Sequence, residues 1–372
     1  MTQPSPATLL SRRFPGKRAF ITGAASGLGD AMARLLAPEG WSLGLLDVSA
    51  AGLERSAGEL RAAGARVTTF TGDVASASFV AEAIGQFASS QEGLDVLVNN
   101  AGVAVAGPVE VTSTEDWNWI VGINLLGVVW GCRAAVPVMR SQGKGLILNI
   151  ASSAGFAAPP QMAPYNTTKA AVISLSETMA SELAGTGIQT SVAMPGFFRT
   201  HLLDHMRAPP EENAMAHQLM DNSGHDPHEA ARVLLGAAAA GDLYIVWPPE
   251  YRMAWRLKRW FPGWFLKRVQ AFRLGPRRRR HRALAPELRT GRERGDGGPV
   301  AARAARCDHA VGNARQARRA GAPARDLHAL HPGRRPALRN WASRNDCRRL
   351  RNQTGNHRLS RQAIRYSGGQ TM

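Results

Sequence analysis

Residues 18–29, RAFITGAASGLG, constrain this chain more than any other stretch. A short apolar run passes through a glycine-rich turn into an Ala- and Leu-rich segment that stops before Pro38. A strand that turns into a helix in this way leaves backbone N–H groups at the positive end of a helix dipole, where an anion can sit. Glycine suits the turn because a side chain would hold phosphates away from the backbone. Gly23, Ser26, Gly27, Leu28 and Gly29 are therefore expected to cradle a pyrophosphate. An ordinary tight turn would look the same in isolation, so the weight falls on the rest of the chain.

Further strand patterns at 42–46, 66–70, 96–98, 146–150 and 189–193 alternate with helical ones at 53–63, from about 76, at 113–139 and at 165–183. Such alternation builds a parallel sheet covered on both faces, with its motifs gathered at one edge. The expected fold class is α/β, a Rossmann-type doubly wound sheet forming a single domain over residues 17–250. Ser113 with Asp116 reads as a capping box for the helix at 113–139.

Residues with chemical potential fall at the strand ends. Asp47 lies 18 residues past Gly29, near the offset at which a carboxylate binds ribose hydroxyls. An acid there would repel a 2′-phosphate, so NAD is favoured and NADP remains possible; the alternative is an N-cap for the helix from Ala50. Asp73 either accepts from an adenine amino group, with Val74 against the ring, or caps the helix near Ser76. Asn99 and Asn100 are suited to fastening neighbouring strand ends, and with Ala101 and Gly102 to shaping a cofactor floor. Asn124 is an amide among Ile123, Leu125 and Leu126. It is either a satisfied core residue or the centre of a helix distortion that holds a water beside Lys169. Pro195, Gly196 and Thr200 follow the sixth strand, where the backbone would turn over a nicotinamide ring.

Ser152, Tyr165 and Lys169 carry the catalytic expectation. On a helix, Tyr165 and Lys169 stand four apart on one face. A phenol gives up its proton only near pH 10 unless a nearby cation favours the phenolate, and Lys169 could supply that charge. Ser152 ends a buried strand, from where its hydroxyl could donate to a substrate oxygen.

Taken in order, the turn from Thr22 to Gly29, Asp73-Val74, Asn99 to Gly102, Asn124, Ser152, Tyr165 with Lys169, and Pro195-Gly196 resemble the short-chain dehydrogenase/reductase family over residues 17–247. The resemblance implies hydride transfer between NAD(P) and an alcohol or carbonyl carbon. It gives Tyr165 the role of general acid or base and has Lys169 lower its pKa and hold the nicotinamide ribose. Ser152 would position the substrate oxygen, and Asn124 would support a relay water. Val103 and Ile188 have no assigned part.

The segment from Phe198 to His228 is where this family carries a substrate lid. Its five histidines (His201, His205, His217, His225, His228) lie mostly in a loop without cysteine, so no metal site is expected. Phe197, Phe198 and Met206 suggest an apolar pocket wall and an apolar small-molecule substrate. Gly122, Gly127, Gly131, Ala134 and Ala135 suit close helix contacts, and a homodimer or homotetramer is expected.

Composition separates the ends of the chain. Residues 1–271 hold 21 of the 46 Lys and Arg and 22 of the 28 acids, whereas residues 272–372 hold 25 arginines, no lysine and six acids. Residues 1–16 read as a loose arm. Residues 251–272 interleave tryptophans and cations with a break at Pro262, as in an amphipathic helix on an anionic membrane surface; packing on its own subunit or a partner is the alternative. Residues 273–372 are expected to be disordered, and all-arginine usage suggests a shifted reading frame. Such a tail could bind nucleic acid, and a non-catalytic nucleotide sensor or nucleic-acid binder is the competing function. A pure binder, however, has no need to keep Ser152, Tyr165, Lys169 and Asn124 together. Cys132, Cys307 and Cys347 are too scattered for a disulfide framework, which points to a reducing compartment, with Cys132 a small apolar filler. With no signal-peptide core and no run of about 20 apolar residues, a cytoplasmic protein is expected.

Overall fold

A computed structural model describes residues 5–274; the expectations for the arginine-rich tail lie outside the described residues past that point. Seven parallel strands form the sheet: β1 (Arg18–Thr22), β2 (Ser42–Asp47), β3 (Arg66–Thr71), β4 (Val96–Asn99), β5 (Gly145–Ile150), β6 (Ile188–Pro195) and β7 (Tyr244–Trp247), in the order β3-β2-β1-β4-β5-β6-β7. The inner strands are buried along almost their whole length, as parallel strands covered on both faces must be, while edge strand β3 is largely exposed or half-buried. The order reverses between β1 and β4. Chain departing from those two strand ends diverges and leaves a crevice at the carboxyl edge.

Among the described residues, twelve α-helices accompany the strands: α1 (Pro6–Arg13), α2 (Gly27–Leu36), α3 (Ala50–Ala62), α4 (Ala77–Ser90), α5 (Thr114–Val121), α6 (Gly127–Gln142), α7 (Ala154–Ala157), α8 (Ala163–Glu182), α9 (Pro210–Asp221), α10 (Pro227–Ala240), α11 (Glu250–Trp260) and α12 (Pro262–Leu274). Alternate strand residues point to opposite faces. Ile21, Leu43, Val98 and Leu148 pack with α1, α2, α3 and α10 on one side, whereas Phe20, Leu97, Ile147 and Val192 pack with α4, α6 and α8 on the other. α10 and β7 complete the sheet beyond the six strands expected from sequence.

Three expectations need correction. Residues 1–16 are not wholly a loose arm: Ser5 caps α1, Leu10 and Phe14 are buried, and the Trp41 indole donates to Ser11 Oγ at 3.0 Å. Ala7, Leu10 and Phe14 repeat at helical spacing beneath the prolines and serines that dominate the composition. The capping box is half made, since Asp116 N donates to Ser113 Oγ at 3.0 Å while the Asp116 carboxylate pairs with Arg207 at 2.9 Å. The close helix contacts expected of the small residues are made within the fold. Gly127 packs on Val74 and Gly131 on Asn99, each too close for a Cβ, and Ala135 is buried. Finally, Thr114–Gln142 is long and apolar enough to cross a membrane by length and composition. Here it buries Ile120, Val128, Cys132 and Met139 within the fold, which makes it a core helix.

Candidate active site

The glycine turn forms because two of its residues take left-handed backbone conformations, Gly23 at φ 65° and Gly27 at φ 58°, a region that carries no penalty for glycine. A Cβ on Gly23 would meet Ala101 Cα at 2.8 Å, and one on Gly29 would collide with the Gly23 carbonyl. The turn is thereby folded onto the end of β4. Thr22 Oγ1 accepts from the N–H groups of Asn100 and Ala101 at 3.0 Å each, and Asn100 Nδ2 donates back to the Thr22 and Gly23 carbonyls at 3.0 Å. Asn99 Nδ2 donates to Asn149 Oδ1 at 2.8 Å, joining β4 to β5. Both amides fasten strand ends, as their position suggested.

A continuous cavity of about 1180 Å³ runs along this edge. Asp47, Asp73 and Val74 line one end, Gly23, Ser26, Gly27, Leu28 and Asn100 to Gly102 its middle, and Ser152, Tyr165, Lys169, Pro195, Gly196 and Thr200 the other. Of the expected site residues only Gly29 and Asn124 stand behind its wall. Asp47 does not cap the following helix; Ser49 does, accepting from Gly52 N at 3.2 Å. The Asp47 carboxylate instead accepts from Ala25 N and Ser49 N, both at 3.0 Å, and so ties the glycine turn to β2. Asp73 accepts from Ala75 N at 2.9 Å, while Ser76 is the cap of α4. Arg55 also lines the cavity at this end.

Asn124 sits fully buried in a π-helical turn, Gly122–Leu126, between α5 and α6. Its Oδ1 accepts from Val103 N at 2.8 Å and its Nδ2 donates to Val103 O at 2.9 Å. Asn124 is therefore a satisfied core amide, and the helix around it is distorted. Val103, given no role from sequence, is its partner. A buried amide needs a donor and an acceptor side by side, and one extended residue just past β4 offers both.

Tyr165 and Lys169 occupy the first turns of α8, and both are buried. Lys169 Nζ donates to the Ile150 carbonyl at 3.0 Å and lies 5.7 Å from the centre of the Tyr165 ring. Burial depresses the ammonium to about 8. The expected lowering of the Tyr165 pKa does not hold here: burial pushes the phenol up, opposed by its hydrogen bond with Ser152. Ser152 Oγ accepts from Ala154 N at 3.2 Å at the same strand end.

Thr200 caps the short turn His201–Leu203, accepting from Leu202 N at 3.2 Å, and lies within van der Waals contact of the Cβ position of Gly27. It thus faces the glycine turn from across the cavity. Gly196 allows the Tyr251 ring of α11 to close against the backbone, where any Cβ would clash. Tyr251 lines the cavity too, a contact that sequence reasoning missed because it opens the basic aromatic stretch. Beyond Tyr165 the wall is mostly apolar: Met162, Phe198, Leu203, Met206, Met215 and Met220 line it, with His201, Asp204, His205 and Glu212 among them. Of the histidines in this segment, His201 pairs with Asp204 at 2.8 Å, and His225 with Glu229 at 2.9 Å and with Glu250 at 3.7 Å. Among the described residues, no three His, Cys, Asp or Glu side chains are placed to hold a metal. Cys132 is buried, its thiol pushed up to about 12 by desolvation.

The cavity suits a dinucleotide on the structure's own terms, since it offers a cradle at Gly23 and Gly27 that a side chain would fill, with a helix N-terminus behind it. Over residues 17–211 the sequence matches the family described as short chain dehydrogenase. It is 32% identical over 233 residues to the 3-oxoacyl-(acyl-carrier-protein) reductase of Thermotoga maritima, covering 63% of this chain and 94% of that protein. The D-threitol dehydrogenase of Mycolicibacterium smegmatis is 34% identical over 230 residues, 61% of this chain and 88% of that one. Among solved structures, a short chain dehydrogenase/reductase from Burkholderia phymatum in complex with NAD aligns with a TM-score of 0.63 at 32% identity, covering 66% of this chain and 93% of its own.

Proposed function

The chain belongs to the short-chain dehydrogenase family, and from that premise we propose that it is an NAD-dependent oxidoreductase acting on the alcohol or carbonyl carbon of an apolar small molecule. The observation that carries the reading is one cavity with Ser152, Tyr165 and Lys169 on one wall and the glycine turn with Asp47 beyond them. Bound nicotinamide would supply the chemistry of accepting a hydride from the substrate carbon or returning it. The protein's part is proton transfer. Tyr165 Oη takes the proton of the substrate hydroxyl in oxidation and gives it back to the developing alkoxide in reduction. Ser152 donates to the same substrate oxygen and fixes its position between the two hydroxyls. Lys169, held on the Ile150 carbonyl, places a buried positive charge 5.7 Å from the Tyr165 ring centre, which would oppose the rise that burial imposes on the phenol, and would hold the nicotinamide ribose. Asn124 keeps the π turn open, so that a helix carbonyl released from its usual partner can hold a relay water beside Lys169.

Asp47 supports NAD, because its carboxylate at the end of β2 would face a 2′-phosphate. Arg55 is the feature that would admit NADP as well. The remaining cofactor contacts proposed are Ser26, Leu28, Ala101, Gly102 and Thr200 with the glycines. A homodimer or homotetramer in the cytoplasm, with a peripheral contact through residues 251–272, completes the reading. The test is a screen of secondary alcohols and ketones of increasing apolar length, followed through the absorbance of NADH. Turnover with NAD and a KM that falls with apolar length are expected. No turnover with either cofactor across the series would sink the proposal.

A further inference from the structure

α11 and α12 meet at a corner whose surface chemistry the active site does not use. Trp260, Phe261 and Trp264 are consecutive aromatics there, exposed by 78%, 57% and 49%. They are not held back for want of a place to pack, because neighbouring residues do pack: Phe265 is buried and Trp255 lies against Tyr244 with ring centres 5.2 Å apart. The two helices therefore sort their aromatics, some inward and three outward. Residues 250–271 carry six cations, from Arg252 to Arg268, against the single acid Glu250; of these, Arg252 donates to the Val246 carbonyl and Arg259 pairs with Glu177. Among the described residues, Arg256, Lys267 and Arg268 make no ion pair; Arg268 lies over the Trp264 ring at 5.1 Å. A second copy of the chain is a poor occupant for such a face, since two-fold docking would bring two sets of cations together with no acids between them.

We propose that this corner seats the protein on an anionic lipid bilayer, with Trp260, Phe261 and Trp264 entering the interface and the cations meeting lipid phosphates. Tryptophan suits that depth because its ring is apolar and its N–H stays wet, and lysine and arginine stems reach back to the headgroups. Tyr251, nine residues back along α11, lines the catalytic cavity. At 1.5 Å per residue the docked corner stands about 14 Å along the helix axis from that wall. An apolar alcohol dissolved in the bilayer would have that short a distance to travel. The docking does not depend on the catalytic reading, and its test does not measure turnover.

Two measurements decide it. Full-length protein is sedimented with phosphatidylcholine vesicles containing phosphatidylglycerol, alongside a Trp260→Ala, Phe261→Ala, Trp264→Ala variant that keeps every cation. In salt on the order of 0.5 M, where the Debye length is only a few Å, wild type is expected to stay bound and the variant to bind about tenfold less or worse. Equal sedimentation of the two overturns the proposal, as does loss of self-association in the variant, which would make the corner a contact between copies. On the unaltered protein, brominated lipid is expected to quench tryptophan emission. Absence of quenching when the protein is bound also overturns it.

Discussion

The cofactor end of the cavity and its lid end are built by opposite means. Around Gly23, Asn100 and Asp47 nearly every polar group is matched to a named backbone partner at close to 3.0 Å. The segment carrying Met206, Met215 and Met220 makes hydrogen bonds too, His201 with Asp204 and Arg207 with Asp116 among them, but it faces the cavity with flexible side chains; Met215 is 54% exposed. One end is specified by hydrogen bonds and backbone angles, the other by volume and polarity. The contrast suits a site that holds a fixed cofactor and fits a variable substrate, since methionine adapts to irregular shapes.

Substitutions test that division, most severely at the cofactor end. Gly29→Ala drives a Cβ into the Gly23 carbonyl, and is expected to destabilise the fold by about 3 kcal/mol or more and abolish NADH binding. Urea melts and NADH fluorescence would show it; a stable, cofactor-binding variant would break the contrast. Asn124→Leu removes both bonds to Val103 and leaves its backbone groups unpaired, with an expected loss of about 2–4 kcal/mol by denaturant melts. Lys169 gives a pH signature. The folded chain holds its proton near 8 and the unfolded chain near 10.5, so between those values the unfolded state binds more protons and stability rises with pH. Because Tyr165 is pushed up, its contribution is lost once the unfolded phenol ionises near 10. A gain on the order of 1–3 kcal/mol from pH 8 to 10 is expected in the cofactor-free protein and should vanish in Lys169→Met. At the lid, Met215→Leu and Met220→Leu should cost under about 1.5 kcal/mol each, and shift KM a few-fold across apolar substrates with kcat little changed. A large drop in stability there would mean the lid is as tightly specified as the cofactor end.

Legibility in the sequence follows the same division. The glycine turn, Asn99, Asn100 and the Ser152, Tyr165, Lys169 set could be read because each requirement is local: a left-handed angle, a strand end, a four-residue helical spacing. What escaped was set by tertiary packing. α1 was hidden beneath a proline- and serine-rich composition, and Val103 acquired its role only when a distant helix brought Asn124 to it. The small residues of α6 announced close contacts, but not that Val74 and Asn99 would make them. Tyr251 reaches the cavity across a glycine more than fifty residues earlier in the chain. The phenol's raised pKa escaped for a similar reason, since a spacing of four says that an amine is near but not how deeply the phenol is buried.

The central claim is that the Tyr165 hydroxyl moves the proton in a site whose cofactor end stands independently of it. Tyr165→Phe, assayed for turnover and for NADH binding on the same preparation, tests this most directly. The account expects turnover to fall by about 10²–10⁴ with cofactor affinity within about twofold of wild type. Turnover at the wild-type level with the phenol gone would contradict it.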